Sequence, residues 1–231
     1  MRSLWRTLDR ALARDIALVC VACAFVGVSF GAITVSSGLP VWLPTLMSVA
    51  VFAGASQFMF VAIIASGGGL VAAVVTGLLV NTRLLPLGFA VGDVISGNWR
   101  QRLFGSHITT DEVAAFTMAQ RDPGTRRAAF WGCGLGLFAS WNLGVLLGAF
   151  GGTVIKDTNV FGLDAAFPAV LLALVLPSLK DGPTRRAAAV GVVIALATSP
   201  FLTAGAPVLL ALVGVLASLG GDRFAAKKVA T

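Results

Sequence analysis

Apolar residues run along this chain in blocks long enough to cross a membrane, and the polar interruptions between them define its organisation. No charged side chain occurs from Ile16 to Thr82. Within that stretch the pattern predicts two spans, Ile16 to Ser37 and Val41 to Ser66, divided by Gly38-Leu39-Pro40. A third apolar stretch, Leu70 to Ala90, follows the Ser66–Gly69 turn. After a polar connection come apolar segments at Ala128 to Phe150, Gly162 to Leu179 and Ala187 to Gly221. Because a spanning helix needs about 20 mostly apolar residues, the pattern predicts an all-α integral membrane protein, a polytopic helical bundle of about seven to eight segments. A single transmembrane transporter domain fills residues 1–231: an amphipathic segment at 1–15, a first half at 16–98, the polar connection 99–127, a second half at 128–221 and a basic tail at 222–231.

Two of the apolar stretches have the wrong length. Ala187 to Gly221 is too short for two full spans and is interrupted at Ser199-Pro200. Ala187 to Thr198, if helical, is only about 18 Å long, and crosses the apolar core only by taking in Thr184 to Arg186, whose arginines snorkel. Leu70 to Ala90 carries Asn81 and Arg83 in its interior. Discontinuous helices near Asn81–Arg83 and Ser199–Pro200 resolve both cases.

Charge bears on the same choice. Every Lys and Arg except Arg83 and Lys156 lies at the N-terminus, in 100–127, in 180–186 or in 223–228, and the positive-inside rule places all four groups in the cytoplasm. The chain after Arg83 must then return to the side on which Gly67 begins. The alternative, seven uninterrupted helices, puts 93–127 outside against the rule. The halves also resemble one another weakly: Gly27-Val28-Ser29-Phe30-Gly31 parallels Gly144-Val145-Leu146-Leu147-Gly148, Val51 to Ala55 parallels Ala166 to Val170, and Gly77 to Asn81 parallels Gly191 to Ala195. Similar halves with discontinuous helices are a pattern of secondary transporters.

Composition agrees with the membrane assignment. The chain is 57% hydrophobic and 12% charged, whereas soluble domains are about 25% charged. Its net charge of +7 does not imply nucleic acid. Arg2, Arg6, Arg10 and Arg14 lie four apart, on one face of a helix with Leu4, Leu8 and Leu12 on another, as in a cytoplasmic-side interfacial segment. A cleavable signal peptide is disfavoured by the length of the apolar run and the lack of a small-residue cleavage site. Cys20, Cys23 and Cys133 fall in apolar segments and read as small buried hydrophobes. His107 is the only histidine and has no second ligand near it, so neither a metal site nor a cofactor is expected. The chain has no P-loop motif and no Ser/His/Asp set, and is not expected to be an enzyme. Trp5, Trp42, Trp99 and Trp131 fall near segment ends; Trp141, at mid-span, packs in the bundle or lines a cavity.

The candidate site residues are the polar ones in apolar surroundings. A cation at membrane depth costs roughly 2.5–3.5 kcal/mol on insertion scales. Arg83, with Asn81 beside it, either clamps a carboxylate or snorkels to headgroups. Phe52-Ala53-Gly54-Ala55-Ser56-Gln57-Phe58 is expected at the centre of the second span. Its small residues suit a packing face, but Gln57 brings an amide that lipid cannot satisfy and points to a polar cavity. Thr109-Thr110-Asp111-Glu112 reads either as a helix cap with acids in the first turn or as a site for an ammonium group or a proton. Asn142 and Asp164 are further polar groups in the second half.

Taken together, Gly27-Val28-Ser29-Phe30-Gly31-Ala32, the stretch Phe52 to Phe58, Leu79-Val80-Asn81-Thr82-Arg83 and Asp111-Glu112 resemble the AzlC-type branched-chain amino acid permease family, the large subunit of a two-component exporter. The resemblance is strongest from Gly27 to Arg83. It implies a secondary transporter that exports valine, leucine, isoleucine and, in some members, methionine. Transport would cross the bacterial inner (cytoplasmic) membrane, with a cytoplasmic N-terminus. A small AzlD-type membrane subunit of about four helices would act as partner, and an ion or potential gradient would drive export. In such an exporter Arg83 and Asn81 would take the substrate carboxylate, Gln57 with Gly54, Ala55 and Ser56 would complete the polar contacts, and Asp111 or Glu112 would meet the ammonium group. Leu84-Leu85-Pro86 follows Arg83 where many members carry an aromatic residue or histidine. Two other roles fit the residues: a non-transporting membrane subunit that stabilises or regulates a partner permease, and a passive channel for a small neutral solute.

Overall fold

In the computed structural model, the described residues are 8–154, 172, 176–202 and 206–215, and among them every regular element is helical. The protein is an all-α membrane protein. The helices are α1 (Arg10–Ser36), α2 (Trp42–Ala50), α3 (Gly54–Ala65), α4 (Leu70–Asn81), α5 (Leu84–Ala90), α6 (Trp99–His107), α7 (Asp111–Met118), α8 (Pro123–Val154), α9 (Gly182–Thr198) and α10 (Ala206–Ala211). Short 3-10 turns occupy Leu176–Lys180 and Leu212–Val215. By length and composition α1, the stretch Leu70–Ala90 and α8 can each cross a bilayer. The chain divides into two compact units, one from residues 1–57 and 79–163, the other from 58–78 and 164–231.

The first unit is organised around the pairing of α1 with α8. Gly27 and Gly31 on α1 pack against Trp141, Val145, Gly148 and Ala149 of α8, while Gly144, Gly148 and Gly152 of α8 pack against Ala24, Val28 and Ala32 of α1. A Cβ on Gly27 would stand 2.8 Å from the Trp141 carbonyl oxygen, and one on Gly31 would collide with the Val145 carbonyl and stand 2.6 Å from the Ala149 nitrogen. Cβ atoms on Gly144 and Gly148 would strike the backbone of Ala24 and Val28. This is the small-residue contact by which helices associate in lipid, where close backbone approach replaces the hydrophobic effect. Two segments whose similarity reads as an internal repeat are thus also partners in one interface.

The contacts run in register. Ala24 lies at Gly144, Val28 at Gly148 and Ala32 at Gly152, so α1 and α8 point the same way. Arg10 and Arg14 therefore share an end of the unit with Arg126 and Arg127. Residues 93–96 lie at that end too: Arg126 Nη2 contacts Asp93 Oδ1 at 3.1 Å and Arg127 Nη1 donates to the Val94 carbonyl at 3.2 Å. Seven uninterrupted helices would put 93–127 opposite the N-terminus, and this parallel packing is incompatible with that arrangement.

Both expected interruptions are present. Between α4 and α5 the chain tightens: Thr82 N–H bonds the Leu79 carbonyl at 3.2 Å and Leu85 N–H the Thr82 carbonyl at 3.1 Å, three residues back instead of four. After α9, the N–H groups of Phe201 and Leu202 both fall on the Thr198 carbonyl. α9 opens at Gly182 and so takes in Thr184 to Arg186, as its length requires. Its cap is Asp181, whose carboxyl the Thr184 hydroxyl and then the Thr184 N–H hold below the usual carboxylate range. Within the second unit α9 meets the following segment antiparallel, Gly191 against Ala211 and Gly214 against Ala187.

One expectation is corrected. Val41 to Ser66 is not a single span but two helices, α2 and α3, separated at Val51–Ala53. Phe52 stands at φ +44°, a left-handed conformation that costs an L-residue roughly 1–2 kcal/mol. Tertiary packing holds it there: its ring is 5% exposed and meets Phe138 edge-on at 5.0 Å. Asp164 and the segments around 162–171 and 216–231 lie outside the described residues.

The α1–α8 contact yields a direct test. Gly31→Ala or Gly148→Ala forces backbone apart, and thermal unfolding in detergent should show a loss at or beyond the roughly 1–3 kcal/mol typical of overpacking. Gly151→Ala, with nothing within 4 Å of the new methyl, should be neutral or stabilising by up to about 1 kcal/mol through helix propensity. Equal behaviour of the three variants would contradict the packing described.

Candidate functional site

The polar connection 99–127 is built as a helical hairpin laid along α8. Asn98 caps α6 by accepting the Gln101 N–H at 2.9 Å, and α6 then advances along α8. The Phe104 ring lies 6.4 Å from Trp131 and 6.1 Å from Phe138, and the His107 ring lies 5.9 Å from Phe138. Ile108 fills the space over Gly134. Thr110 then caps α7 by accepting the Val113 N–H at 3.4 Å, and the chain returns to α8. Reading Thr110 to Glu112 as a cap with acids in the first turn is correct, but it covers only half of what this tip does.

The tip of the hairpin, the break at Val51–Ala53 and helix α5, which follows the turn at Thr82–Arg83, converge on one cavity of about 450 Å³. Val51 and Phe52 line it from the first break, Leu84, Leu85, Gly88 and Phe89 from α5, and Ser106, His107 and Thr109 from the hairpin. One wall is apolar, the other polar. Phe138, which packs against Phe52 and His107, lies near the middle of α8, so the cavity sits at mid-height of that helix.

The ion pair stands next to this cavity. Arg83 Nη2 lies 2.7 Å from Asp111 Oδ2, with the two side chains 53% and 41% exposed. Arg83 directly precedes Leu84, and Asp111 follows Thr109 by two residues. The Arg83 guanidinium ends on a carboxylate delivered by the hairpin tip. Asn81 closes α4 beside it and makes no side-chain hydrogen bond among the described residues. Glu112 does not share the pair and lies within electrostatic reach of Cys23 on α1 and Cys133 on α8. The three thiols are free, with the Cys20 sulfur packed against Gly136. No group of potential metal ligands occurs among the described residues.

His107 is the main residue that sequence reasoning passed over. Its Nε2 lies 2.8 Å from the Val49 carbonyl oxygen, an acceptor, so Nε2 carries the proton and caps the C-terminal end of α2 where the break leaves carbonyls free. Its ring also lies 6.0 Å from Phe52. A single histidine in a polar loop gave no sign of this, because its partners come from a break that hydropathy does not reveal.

Gly54, Ala55, Ser56 and Gln57 form the first turn of α3, immediately after the break. Gly54 packs against the Trp141 ring, which a Cβ would approach to 3.0 Å. The Ser56 hydroxyl donates to the Ala53 carbonyl at 2.9 Å. Gln57 is fully buried and neither of its amide atoms has a partner. Asn142, one residue beyond Trp141, accepts from the Ser48 hydroxyl at 2.6 Å and donates to the Phe138 carbonyl at 2.8 Å, which ties α2 to α8. The structure thus brings Arg83 and Asp111 together. Among the described residues no hydrogen bond or ion pair joins Gln57 to either of them.

The sequence pattern of the AzlC protein family matches residues 18–155, which include the break at Val51–Ala53, the turn at Thr82–Arg83, the hairpin and the ion pair. An uncharacterized membrane protein of Archaeoglobus fulgidus is 30% identical over 178 residues, covering 74% of this chain and 76% of that protein. An uncharacterized membrane protein of Helicobacter pylori is 25% identical over 172 residues, covering 73% of this chain and 75% of that protein. No solved structure matches. With most of the first unit, the α2–α3 break and the Arg83–Asp111 pair inside the matched region, the chain belongs to the AzlC family.

Proposed function

We propose that this chain is the transporting subunit of an amino acid exporter, and that the Arg83–Asp111 pair is where a zwitterionic substrate first engages. The observation that carries the reading is the pair itself, closed at 2.7 Å beside an apolar-walled cavity. An α-amino acid presents the same two charges. Its carboxylate takes the place of Asp111 on Arg83, as guanidinium groups do with two parallel hydrogen bonds, while its ammonium group takes the place of Arg83 on Asp111. Each charge keeps a counter-ion throughout, so the exchange leaves neither group unpaired. Asn81 completes the contacts to the carboxylate, and Glu112 adds negative charge on the ammonium side.

The side chain of the substrate enters between Val51, Phe52, Leu84, Leu85 and Phe89. Such a wall suits valine, leucine, isoleucine and methionine, and gives polar side chains no compensation for lost water. Gln57 and the backbone of Gly54 to Ser56 lie beyond the break, farther along the substrate's route. The shared end of α1 and α8, with its arginines, faces the cytoplasm of the inner membrane by the positive-inside rule. Export is driven by an ion or potential gradient, and a small AzlD-type membrane subunit is the expected partner.

The test is export of valine, leucine and methionine from dipeptide-loaded cells expressing this chain, with and without that partner. Arg83→Ala at normal membrane abundance should reduce export by at least about tenfold, in line with loss of a charge-assisted contact. Unchanged export would make the pair a structural tie. Absence of export in the wild type with its partner would move the chain to a non-transporting role.

A further inference from the structure

The first turn of α3 and the α8 residue packed against it hold an unusual set of buried polar atoms. Gln57 is 0% exposed, and neither Nε2 nor Oε1 has a hydrogen-bond partner. Trp141 is 7% exposed and its indole N–H is also unpartnered. The two belong to one neighbourhood. Gly54 touches the six-membered ring of Trp141, and Gln57 lies three residues on from Gly54, on the same helical face. Side chains on a helix lean toward its N-terminus, which carries the Gln57 amide back over the first turn.

That turn itself is donor-rich. The first helical hydrogen bond of α3 runs from Gln57 N–H to the Ala53 carbonyl at 3.0 Å, so the N–H groups of Gly54, Ala55 and Ser56 lie outside the ladder. The positive end of the helix dipole lies there too. No formal charge is present: Arg83 and Asp111 are engaged with each other, and α2, α3 and the break between them contain no ionisable side chain. Buried amide and indole groups in native proteins are nearly always satisfied, and in lipid only protein, water or a ligand can satisfy them.

We infer that the N-terminal turn of α3, Gln57 and the Trp141 indole form a second, uncharged seat for the substrate carboxylate, reached after the Arg83–Asp111 pair. The inference rests on the exporter reading above and adds the station that follows the first contact. The seat lies one helical turn along α8 from the cavity: Phe52 packs on Phe138, and Gly54 packs on Trp141 three residues later. Phe52, in its left-handed conformation, joins the two. Neutral donors and a helix terminus hold a carboxylate firmly enough to receive it and loosely enough to release it, which a fixed cation does less well. Gly54 carries no side chain, so the indole ring packs directly on the first turn beside its backbone N–H groups.

The probe is isovalerate, which is valine with hydrogen in place of its ammonium group, compared with neutral isovaleramide. Lacking the ammonium, isovalerate has nothing to place on Asp111 and does not open the ion pair. Purified protein in detergent should be thermally stabilised by isovalerate and not by isovaleramide. Gln57→Leu, which removes the amide at similar volume, should melt at or above the wild-type temperature without ligand, because a buried orphan group is gone. Trp141→Phe also vacates packed space and should stay folded but melt lower. Each should weaken isovalerate binding by at least about tenfold. The double variant Arg83→Gln/Asp111→Asn should keep isovalerate binding within about threefold of wild type, by the usual independence of separate sites. Isovalerate stabilisation that survives in both Gln57→Leu and Trp141→Phe, or that vanishes in the double variant, would overturn the second seat. So would equal stabilisation by the amide, or none by isovalerate. Those results leave the export assay untouched, and failure of export in wild-type cells leaves the isovalerate result standing, so the two claims fail separately.

Discussion

A charge inside an apolar segment must be answered by another charge, and in this protein that requirement shapes the region around Arg83. The guanidinium belongs to the turn between α4 and α5, at the inner end of a stretch that otherwise suits lipid. Its counter-ion does not come from a neighbouring spanning helix. It comes from Asp111, carried inward by a hairpin of two helices of 9 and 8 residues, each far shorter than a membrane is thick. The same inward excursion brings His107 to the end of α2 and Thr109 to the cavity wall. The pair, the cavity and the α2–α3 break therefore form one assembly.

The assembly needs a rigid wall, and α8 provides it. Close backbone contact with α1 over Gly144, Gly148 and Gly152 leaves little freedom to slide, since interpenetrating backbones have no side chains to rearrange. From this column Trp131, Phe138 and Trp141 project to meet Phe104, His107, Phe52 and Gly54. Aromatic contacts of this kind are worth about 0.5–1.5 kcal/mol each beyond burial. Together they are enough to hold Phe52 in a backbone conformation it would not choose alone. The break is thus imposed from outside the segment, and a joint held by tertiary contacts is one that can be released.

This explains what could be read from the sequence. The membrane class, the interruptions near Asn81–Arg83 and Ser199–Pro200, and the shared end of Arg10 and Arg14 with Arg126 and Arg127 all follow from length, charge and hydropathy, which act locally. Arg83, Asp111 and Gln57 stand out because polar groups in apolar surroundings are costly wherever they sit. The break at Phe52 left no such mark. Val41 to Ser66 has the hydropathy of one helix, and nothing local marks a left-handed Phe. The hairpin was read as a polar connection because its charged ends, Arg100, Arg102, Arg121 and Arg126, conceal the apolar face formed by Phe104, Ile108, Val113 and Ala114. The Gly27–Gly31 and Gly144–Gly148 motifs were legible as similar, but not as touching, since similarity says nothing of distance.

The central claim is that Arg83 and Asp111 act as one unit which substrate opens. The most direct measurement is valine counterflow in liposomes containing the wild type, Arg83→Gln, Asp111→Asn and the double variant. A single unit predicts that each single substitution removes nearly all counterflow and that the double is no worse than either, a strongly non-additive cycle. Losses that multiply independently, or full activity in either single variant, would contradict it.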